Sequence, residues 1–276
     1  MRKSVAIKVS ISGARSELGH VLRQLSPARG SRAVHLNLTT QHANTLLHDG
    51  HAWKEFARTA PAATRAAIRT ARTGRARLLV HASFAFVHAV ERGAELEPPL
   101  RSCVDAILEC EALVLSAPLP ACVVRLGYLY GPDSADLRAY RTAFRLGRPY
   151  WSGPAEPRQY HLHQLDAASA LLAAAKSGAA GKIYYATDGR TVSFMRFMDA
   201  FAHRVGRPKP LHLPPYSQPL ARWIIRKEHM QQTALPMPLR APRPRVPGWK
   251  PKFVDYRKGL DQVIEAWREE SSPPLP

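Results

Sequence analysis

The chain has 276 residues, of which 45% are hydrophobic, so it can fold around a sizeable core and is not an intrinsically disordered protein. It carries 40 Lys and Arg against 21 Asp and Glu, and this formal net charge of +19 favours polyanions such as RNA, DNA, anionic membranes or acidic proteins. No apolar run reaches the ~18 residues that a membrane-spanning helix needs. The basic residues at the start lead into a glycine turn, which predicts a first strand rather than a signal peptide.

Three cysteines, Cys103, Cys110 and Cys122, have no metal-ligand spacing and leave an odd one out. This pattern is typical of free thiols in a reducing compartment. We therefore predict no metal site and a cytoplasmic location, with the mitochondrial matrix as the alternative.

The first half of the chain alternates predicted strands with predicted helices. The predicted strands are 5–11, 33–38, 77–82 and 121–126, and the predicted helices are 18–25, 53–73 with a break near Pro61, and 100–117. This alternation predicts a parallel sheet with right-handed crossovers.

Beyond residue 132 the predicted strands and helices no longer alternate regularly. We therefore divide the chain into a core, 1–132, and a smaller lobe, 133–276, that pack as one unit. The lobe has predicted helices at 166–176, 193–205 and 256–269, and a predicted strand at 182–186. Residues 207–251 are rich in Pro and Arg, which predicts an extended segment.

Seven short segments carry motifs in a fixed order. They are Ser12–Gly19, Val34–Leu36, Leu79–Ser83, Arg125–Pro132, His163–Asp166, Gly181–Gly189 and Gly248–Pro251. Together they resemble the motifs of extended short-chain dehydrogenases/reductases, the family of sugar-nucleotide epimerases and dehydratases, over nearly the whole chain. The resemblance implies an α/β fold with a Rossmann-like doubly wound parallel sheet, a small C-terminal α/β lobe and an NAD(P) cofactor.

The resemblance also implies which residues would contact that cofactor, because a glycine turn brings backbone N–H groups to the pyrophosphate at a helix N-terminus. Ser16 stands where the family has glycine, so its side chain would either crowd the phosphate or donate a hydroxyl hydrogen bond to it. Glu17 would oppose a phosphate electrostatically, whereas Arg15 would meet a 2′-phosphate. The implied contacts are Gly13, Arg15, Ser16, Leu18, Gly19, Leu36, Asn37 and Ser83.

The stretch between the first two predicted strands is short. Leu25 is followed within a few residues by the strand 33–38, which resembles the family's fourth strand, so the βαβα stretch on the adenosine side is missing. The alternative is that 33–38 is the family's second strand, but it does not end in the Asp or Glu that would bind the ribose. Both interpretations weaken cofactor binding.

Reduction in this family needs a Tyr that exchanges a proton and a Lys that lowers the pKa of that Tyr. No Tyr-x-x-x-Lys occurs between residues 84 and 120. Aligning the helix on Glu111 puts Cys103 and Ile107 at these two positions, and a register shifted by two residues gives Arg101 and Asp105. We therefore predict no standard proton donor on this helix.

The serine of the family's catalytic strand is also displaced. Phe84 occupies the position of the catalytic hydroxyl, and Ser83 is its neighbour. The Cys103 thiol is an alternative acid, but a thiol on an apolar helix is typical of packing. His161, His163 and Asp166 are predicted to make structural hydrogen bonds rather than to bind a metal.

The sequence has thus lost both cofactor-binding features and the standard proton donor. This predicts a catalytically degenerate member of the family that serves as a structural or regulatory subunit or a binding scaffold. Its partner would be RNA or an acidic protein, docked on the basic surface and on the proline-stiffened arm Arg240–Arg245. One alternative is an atypical NAD(P)-binding oxidoreductase or epimerase with non-standard catalytic residues. Another is an RNA-binding protein on this scaffold.

Overall fold

The centre of the molecule is a five-stranded parallel sheet. The computed structural model describes residues 7–26, 30, 32–41, 50–98, 100–147, 158–177, 180–207, 235 and 240–271. The sheet strands, in spatial order, are β1 (Ile7–Ser12), β2 (Arg32–Asn37), β3 (Leu78–Phe84), β4 (Ala121–Leu126) and β7 (Ile183–Ala186). The predicted Rossmann-like α/β class is confirmed.

β1 forms one edge of this sheet. It pairs with β2, with Ser12 opposite Asn37, and no strand among the described residues lies on its other side. β2 pairs in turn with β3, the strand that carries Ser83. In the 3-2-1-4-5-6 order of a Rossmann sheet, only the fourth strand lies next to both the first and the fifth. β2 is therefore the family's fourth strand, the shortened sheet is confirmed, and the interpretation of β2 as the second strand is wrong.

Helices cover both faces of the sheet. α1 (Glu17–Leu25) and α6 (Gln164–Ser177) pack on one face, where Leu18, Leu22 and Leu171 share a core with the strands. α2 (Gly50–Thr73) and α4 (Leu100–Leu115) pack together on the other face.

The connections from β1 to β2 and from β2 to β3 step the same way across the sheet, but their helices α1 and α2 lie on opposite faces. Two such connections must have opposite hands, so the prediction that every crossover is right-handed is wrong for one of them. The missing strands explain the exception, because α1 keeps its face while the strand that follows it lies on the other side of β1.

α2 runs without interruption through Pro61, so the predicted break is absent. A proline inside a helix removes one backbone hydrogen bond and costs about 3 kcal/mol. The contact with α4 opposes this cost, because α2 buries Trp53, Phe56 and Ala60 in a cluster with residues of α4.

The smaller lobe has its own three-stranded sheet and its own core. Its elements are α5 (Ala135–Arg145), β6 (Gln159–His163), β8 (Thr191–Val192), α7 (Phe194–Arg204) and α8 (Tyr256–Ser271), and its sheet also includes β5 (Tyr128–Tyr130), which lies before the predicted boundary at residue 132. The aromatic side chains of Tyr130, Phe197, Phe201 and Trp267 pack together in this core. β7 belongs to the main sheet and α6 packs on its face, although both follow the lobe's first strands in the chain. The two units therefore interlock.

Several elements were not predicted from the sequence, namely β5, α5, β6, β8 and the short helix α3 (Val87–Glu91). Most of the Pro/Arg-rich segment 207–251 lies outside the described residues. Its described end runs beside β7, where the carbonyl of Pro244 accepts a hydrogen bond from Tyr185 N–H at 2.9 Å. Among the described helices, none is long and apolar enough to cross a membrane.

Candidate cofactor-binding and active site

The glycine turn lies between β1 and α1, at the carboxyl end of the sheet. Gly13 has a φ of +78°, and a Cβ there would lie 2.7 Å from the backbone carbonyl of Leu38. A Cβ at Gly19 would lie 2.6 Å from the carbonyl oxygen of Ala14. Both glycines are required by the backbone itself, because no side chain fits either position.

Ser16 caps the helix rather than facing a ligand. Its hydroxyl accepts a hydrogen bond from Gly19 N–H at 3.1 Å and donates one to the carbonyl oxygen of Gly13 at 2.8 Å. The side chain is folded back into the turn and is 5% exposed. The hydroxyl thus donates and accepts within the turn, and a contact between Ser16 and a phosphate stays a prediction.

Glu17 points away from the turn and toward the smaller lobe. Its carboxylate accepts hydrogen bonds from Ala135 N–H and from Gln164 Nε2, each at 2.9 Å. Burial, opposed by the Ala135 hydrogen bond, raises the pKa of Glu17 to about 7. The carboxyl group is thus engaged with the smaller lobe, and its raised pKa reduces the charge that it would present to a phosphate.

The remaining residues implied by the resemblance divide into two groups. Arg15 is exposed beside the turn, whereas Leu18 and Leu36 are buried in the main core. Asn37 is buried at the end of β2, where its Oδ1 accepts hydrogen bonds from Thr39 N–H and Thr39 Oγ1 and its Nδ2 donates to His81 Nδ1. Asn37 thus shapes the loop after β2 and is engaged within the protein.

Ser83 is part of a buried ionic network. Its hydroxyl donates a short hydrogen bond to Glu111 on α4. The guanidinium of Arg125, 1% exposed, donates to Glu111 at 2.6 and 2.9 Å and to Glu91 at 2.6 and 2.7 Å. Arg125 also donates to the hydroxyl of Tyr185 at 2.8 Å. Two carboxylates compensate one buried cation, as a buried charge requires.

This network brings together residues that the sequence motifs singled out and residues that they did not. Ser83, Arg125 and Tyr185 lie in motif segments and Glu111 served to align its helix, whereas Glu91 was missed. A buried arginine on a sheet strand needs carboxylate partners, and this requirement is the sequence signal that could have led to Glu91. The helix that carries Glu91 has only five residues, too few for a periodic pattern.

Core residues occupy the positions to which the alignment on Glu111 assigns the family's Tyr and Lys. Cys103 and Ile107 on α4 are fully buried in an apolar cluster with Trp53 and Phe84. Burial raises the pKa of the Cys103 thiol well above its usual range. A thiol held neutral in an apolar core is not a proton donor for a substrate, so the suggestion that Cys103 replaces the Tyr is wrong.

The polar residues at the start of α6 are structural. Asp166 accepts hydrogen bonds from the backbone N–H groups of Lys252 and Phe253 at 2.7 and 2.8 Å, and His163 Nε2 lies 3.0 Å from Gln262 Oε1. His161 stacks on Phe197 with ring centroids 4.0 Å apart. Within the described ranges, no group of three His, Cys, Asp or Glu side chains is placed to hold a metal ion.

The part of the fold that would hold a dinucleotide is thus half preserved. The left-handed turn at Gly13, the close approach at Gly19 and the start of α1 fit a pyrophosphate, and the carboxyl ends of β2, β3 and β4 remain for the nicotinamide side. No described strand lies on the adenosine side. The backbone from Gly13 to Ser16 would hold the pyrophosphate, and Arg15 would meet a 2′-phosphate.

Comparison with known proteins agrees with this geometry. No family model matches the chain. A 3-diazoavenalumate denitrifying reductase from a Streptomyces species is 33% identical over 257 residues, covering 87% of this chain and 82% of that protein. The chain belongs to the short-chain dehydrogenase/reductase family.

Solved structures of the family share its fold. RMD from Pseudomonas aeruginosa, complexed with NADPH, has a TM-score of 0.66 at 15% identity, covering 95% of this chain and 99% of that one. The human epimerase family protein SDR39U1, solved with NADPH, has a TM-score of 0.65 at 16% identity, covering 94% and 99%. The dTDP-glucose 4,6-dehydratase of Bacillus anthracis, solved with NAD, has a TM-score of 0.65 at 13% identity, covering 96% and 97%.

Proposed function

We propose that this short-chain dehydrogenase/reductase is an NAD(P)H-dependent reductase whose substrate accepts a hydride without needing a proton. The observation that carries the proposal is the burial of Cys103 and Ile107, the residues that the alignment on Glu111 assigns to the positions of the Tyr and Lys. A carbonyl acceptor becomes an alkoxide and needs an acid, and neither of these two side chains supplies one. An acceptor that is already a cation has no such requirement.

A diazonium group is an acceptor of this kind. The relative from Streptomyces is named as a reductase that denitrifies a diazo compound. The reduced nicotinamide supplies a hydride when it is bound. In the overall balance the diazonium substrate gains that hydride, its C–N bond breaks, and N2 leaves with the electron pair of the C–N bond. The products are the compound with hydrogen in place of the diazonium group, N2 and NAD(P)+, and no proton enters or leaves.

The chain's own residues would bind and orient rather than exchange protons. The glycine turn, from Gly13 to Ser16, would hold the pyrophosphate, and the exposed guanidinium of Arg15 would meet a 2′-phosphate. The apolar cluster around Phe84 and Cys103 would keep water and acidic groups away from the acceptor. Excluding acid favours a hydride donor, because reduced nicotinamides decompose in acid.

The test is to mix the protein with NADPH or NADH and an aryl diazonium salt that bears a carboxylate. We expect loss of the reduced-nicotinamide absorbance with N2 released in a one-to-one ratio, and transfer of deuterium from labelled cofactor into the product. Arg15→Gln should weaken the binding of NADPH by about ten-fold, since it removes one charge-assisted hydrogen bond to the 2′-phosphate. The affinity for NADH, which has no 2′-phosphate, should be nearly unchanged. Failure of both dinucleotides to bind or to be oxidised would overturn the proposal.

The same buried Cys103 and Ile107 also support a second candidate, a non-catalytic binding scaffold for RNA or an acidic protein. The net charge of +19 favours such a partner. This candidate predicts no thermal stabilisation by either dinucleotide. It also predicts RNA binding that weakens steeply with salt, or salt-insensitive co-purification with a fixed protein partner.

A further inference from the structure

The smaller lobe contains a cavity of about 530 Å3 between three helices, on elements that take no part in the glycine turn or the Ser83 network. We call it the arginine cavity. Its lining residues are Arg141 and Arg145 of α5, Arg204, Val205 and Gly206 at the end of α7, and Ile264, Trp267 and Arg268 of α8. Four of these eight residues are arginines, and no acidic residue is among them.

The positive charge of the arginine cavity is only partly compensated. Arg204 donates to Asp261 at 2.6 Å, and this carboxylate lines the neighbouring cavity rather than the arginine cavity. Arg141 and Arg145 form no ion pair with any described residue. Like charges that converge on one concave site repel one another, and an anion placed between them relieves the repulsion.

Helix ends alone do not account for this arrangement. Arg145, Arg204 and Arg268 stand in or near the last turn of their helices, where a basic residue gains about 0.3–1 kcal/mol from the helix dipole. That gain does not require three helix ends to meet around one cavity. Arg141 lies a full turn before the end of α5, where the dipole contribution has faded.

The aromatic wall of the cavity orients the guanidinium groups. Trp267 is 3% exposed and is fixed by a hydrogen bond from its Nε1 to the carbonyl oxygen of Pro132 at 2.8 Å. The guanidinium of Arg141 lies 5.1 Å from its ring centroid, and that of Arg138 lies 5.3 Å from it. Stacking restricts the Arg141 side chain, so less entropy is lost when its donors bind an anion.

We infer that the arginine cavity binds a small phosphorylated compound through its phosphate or diphosphate group. Planar guanidinium groups match phosphate oxygens with paired donors, and a volume of about 530 Å3 suits a small molecule. The site is distinct from the glycine turn and does not depend on the proposed reductase activity.

Calorimetric titration with inorganic pyrophosphate at low salt tests this inference. We expect saturable binding that Arg145→Gln weakens about ten-fold, the effect of losing one charge-assisted interaction. Arg145 is exposed, so its replacement should leave the far-UV circular dichroism and the melting temperature unchanged. Arg69→Gln removes the same charge from the exposed side of α2 and should leave the affinity within two-fold of wild type.

Arg15→Gln separates this site from the glycine turn. If Arg15→Gln weakens pyrophosphate binding and Arg145→Gln does not, the phosphate site is the turn and the inference is overturned. Equal losses in Arg145→Gln and Arg69→Gln would reveal a general charge effect and would overturn it as well. Absence of saturable binding by the wild type would overturn the inference too. The proposed reductase activity is tested by its own assay, so its outcome is independent of the arginine cavity.

Discussion

Ser83 and Glu111 are joined by a short hydrogen bond in which the serine hydroxyl donates to the carboxylate that also holds Arg125. The neighbouring residue, Phe84, which the resemblance assigns to the position of the catalytic hydroxyl, is buried in the apolar cluster with Cys103. This strand therefore carries one hydroxyl that is engaged with Glu111 and, beside it, a buried apolar ring.

We expect Ser83→Ala to leave turnover of a diazonium substrate within about three-fold of wild type, because the Ser83 hydroxyl serves Glu111 and not the substrate. The free energy of unfolding should fall by about 1–2 kcal/mol, since Glu111 loses one of its donors in a buried site. Steady-state kinetics and urea unfolding measure the two effects, with the exposed Ser102→Ala as control. A hundred-fold loss of turnover with unchanged stability would show that Ser83 acts on the substrate.

The Arg125 network should be sensitive to which carboxylate is neutralised. Glu111 is almost fully buried and faces both Arg125 and Ser83, whereas the side chain of Glu91 is 39% exposed. Glu111→Gln should therefore destabilise the protein by about 3 kcal/mol, within the range for breaking a buried ion pair, and Glu91→Gln by about 1 kcal/mol.

Chemical denaturation of the two variants under identical conditions checks this ranking. The two substitutions are matched, since each replaces one carboxylate by an amide of the same shape. If Glu91→Gln is the more damaging of the two, the exposed carboxylate rather than the buried one compensates Arg125.

The shortened sheet was predictable from the sequence because a polypeptide needs a minimum length to make a strand and a helix. Only a few residues separate Leu25 from the next strand, too few for the family's second and third strands. The hand of the resulting crossover was not predictable, because the sequence does not record which side of β1 the following strand takes. The topology decides it.

Side-chain roles that depend on distant partners were also beyond sequence reasoning. Glu17 follows the glycine turn, so the sequence predicted that its negative charge repels a bound phosphate. Its actual partners, Ala135 and Gln164, lie 118 and 147 residues away in the chain. Ser16 presents a similar case at short range, because a serine at a turn is equally suited to a ligand and to the helix cap that it forms.

Glu17 makes the stability of the protein dependent on pH. Its pKa is about 7 in the folded protein, above the ordinary value of 4.5 that it takes in the unfolded chain. Between these two values the unfolded state is ionised while the folded state keeps the proton, so the free energy of unfolding decreases as the pH rises from about 4.5 to about 7. The loss should amount to about 2 kcal/mol after allowance for partial solvent exposure.

Glu17→Gln should remove this dependence. The oxygen of the new amide at position 17 still accepts the hydrogen bond from Ala135 N–H. Its NH2 group can donate to Oε1 of Gln164 once the Gln164 amide is turned, and this buried oxygen has no partner in the described part of the chain. We therefore expect wild type and Glu17→Gln to be equally stable at pH 4, and the variant to be the more stable by about 1–2 kcal/mol at pH 8. Thermal and urea unfolding across this pH range measure the difference, with the exposed Glu269→Gln as a control that should show none. A variant that is less stable than wild type at every pH would mean that the ionised carboxylate, and not the protonated one, joins α1 to the smaller lobe.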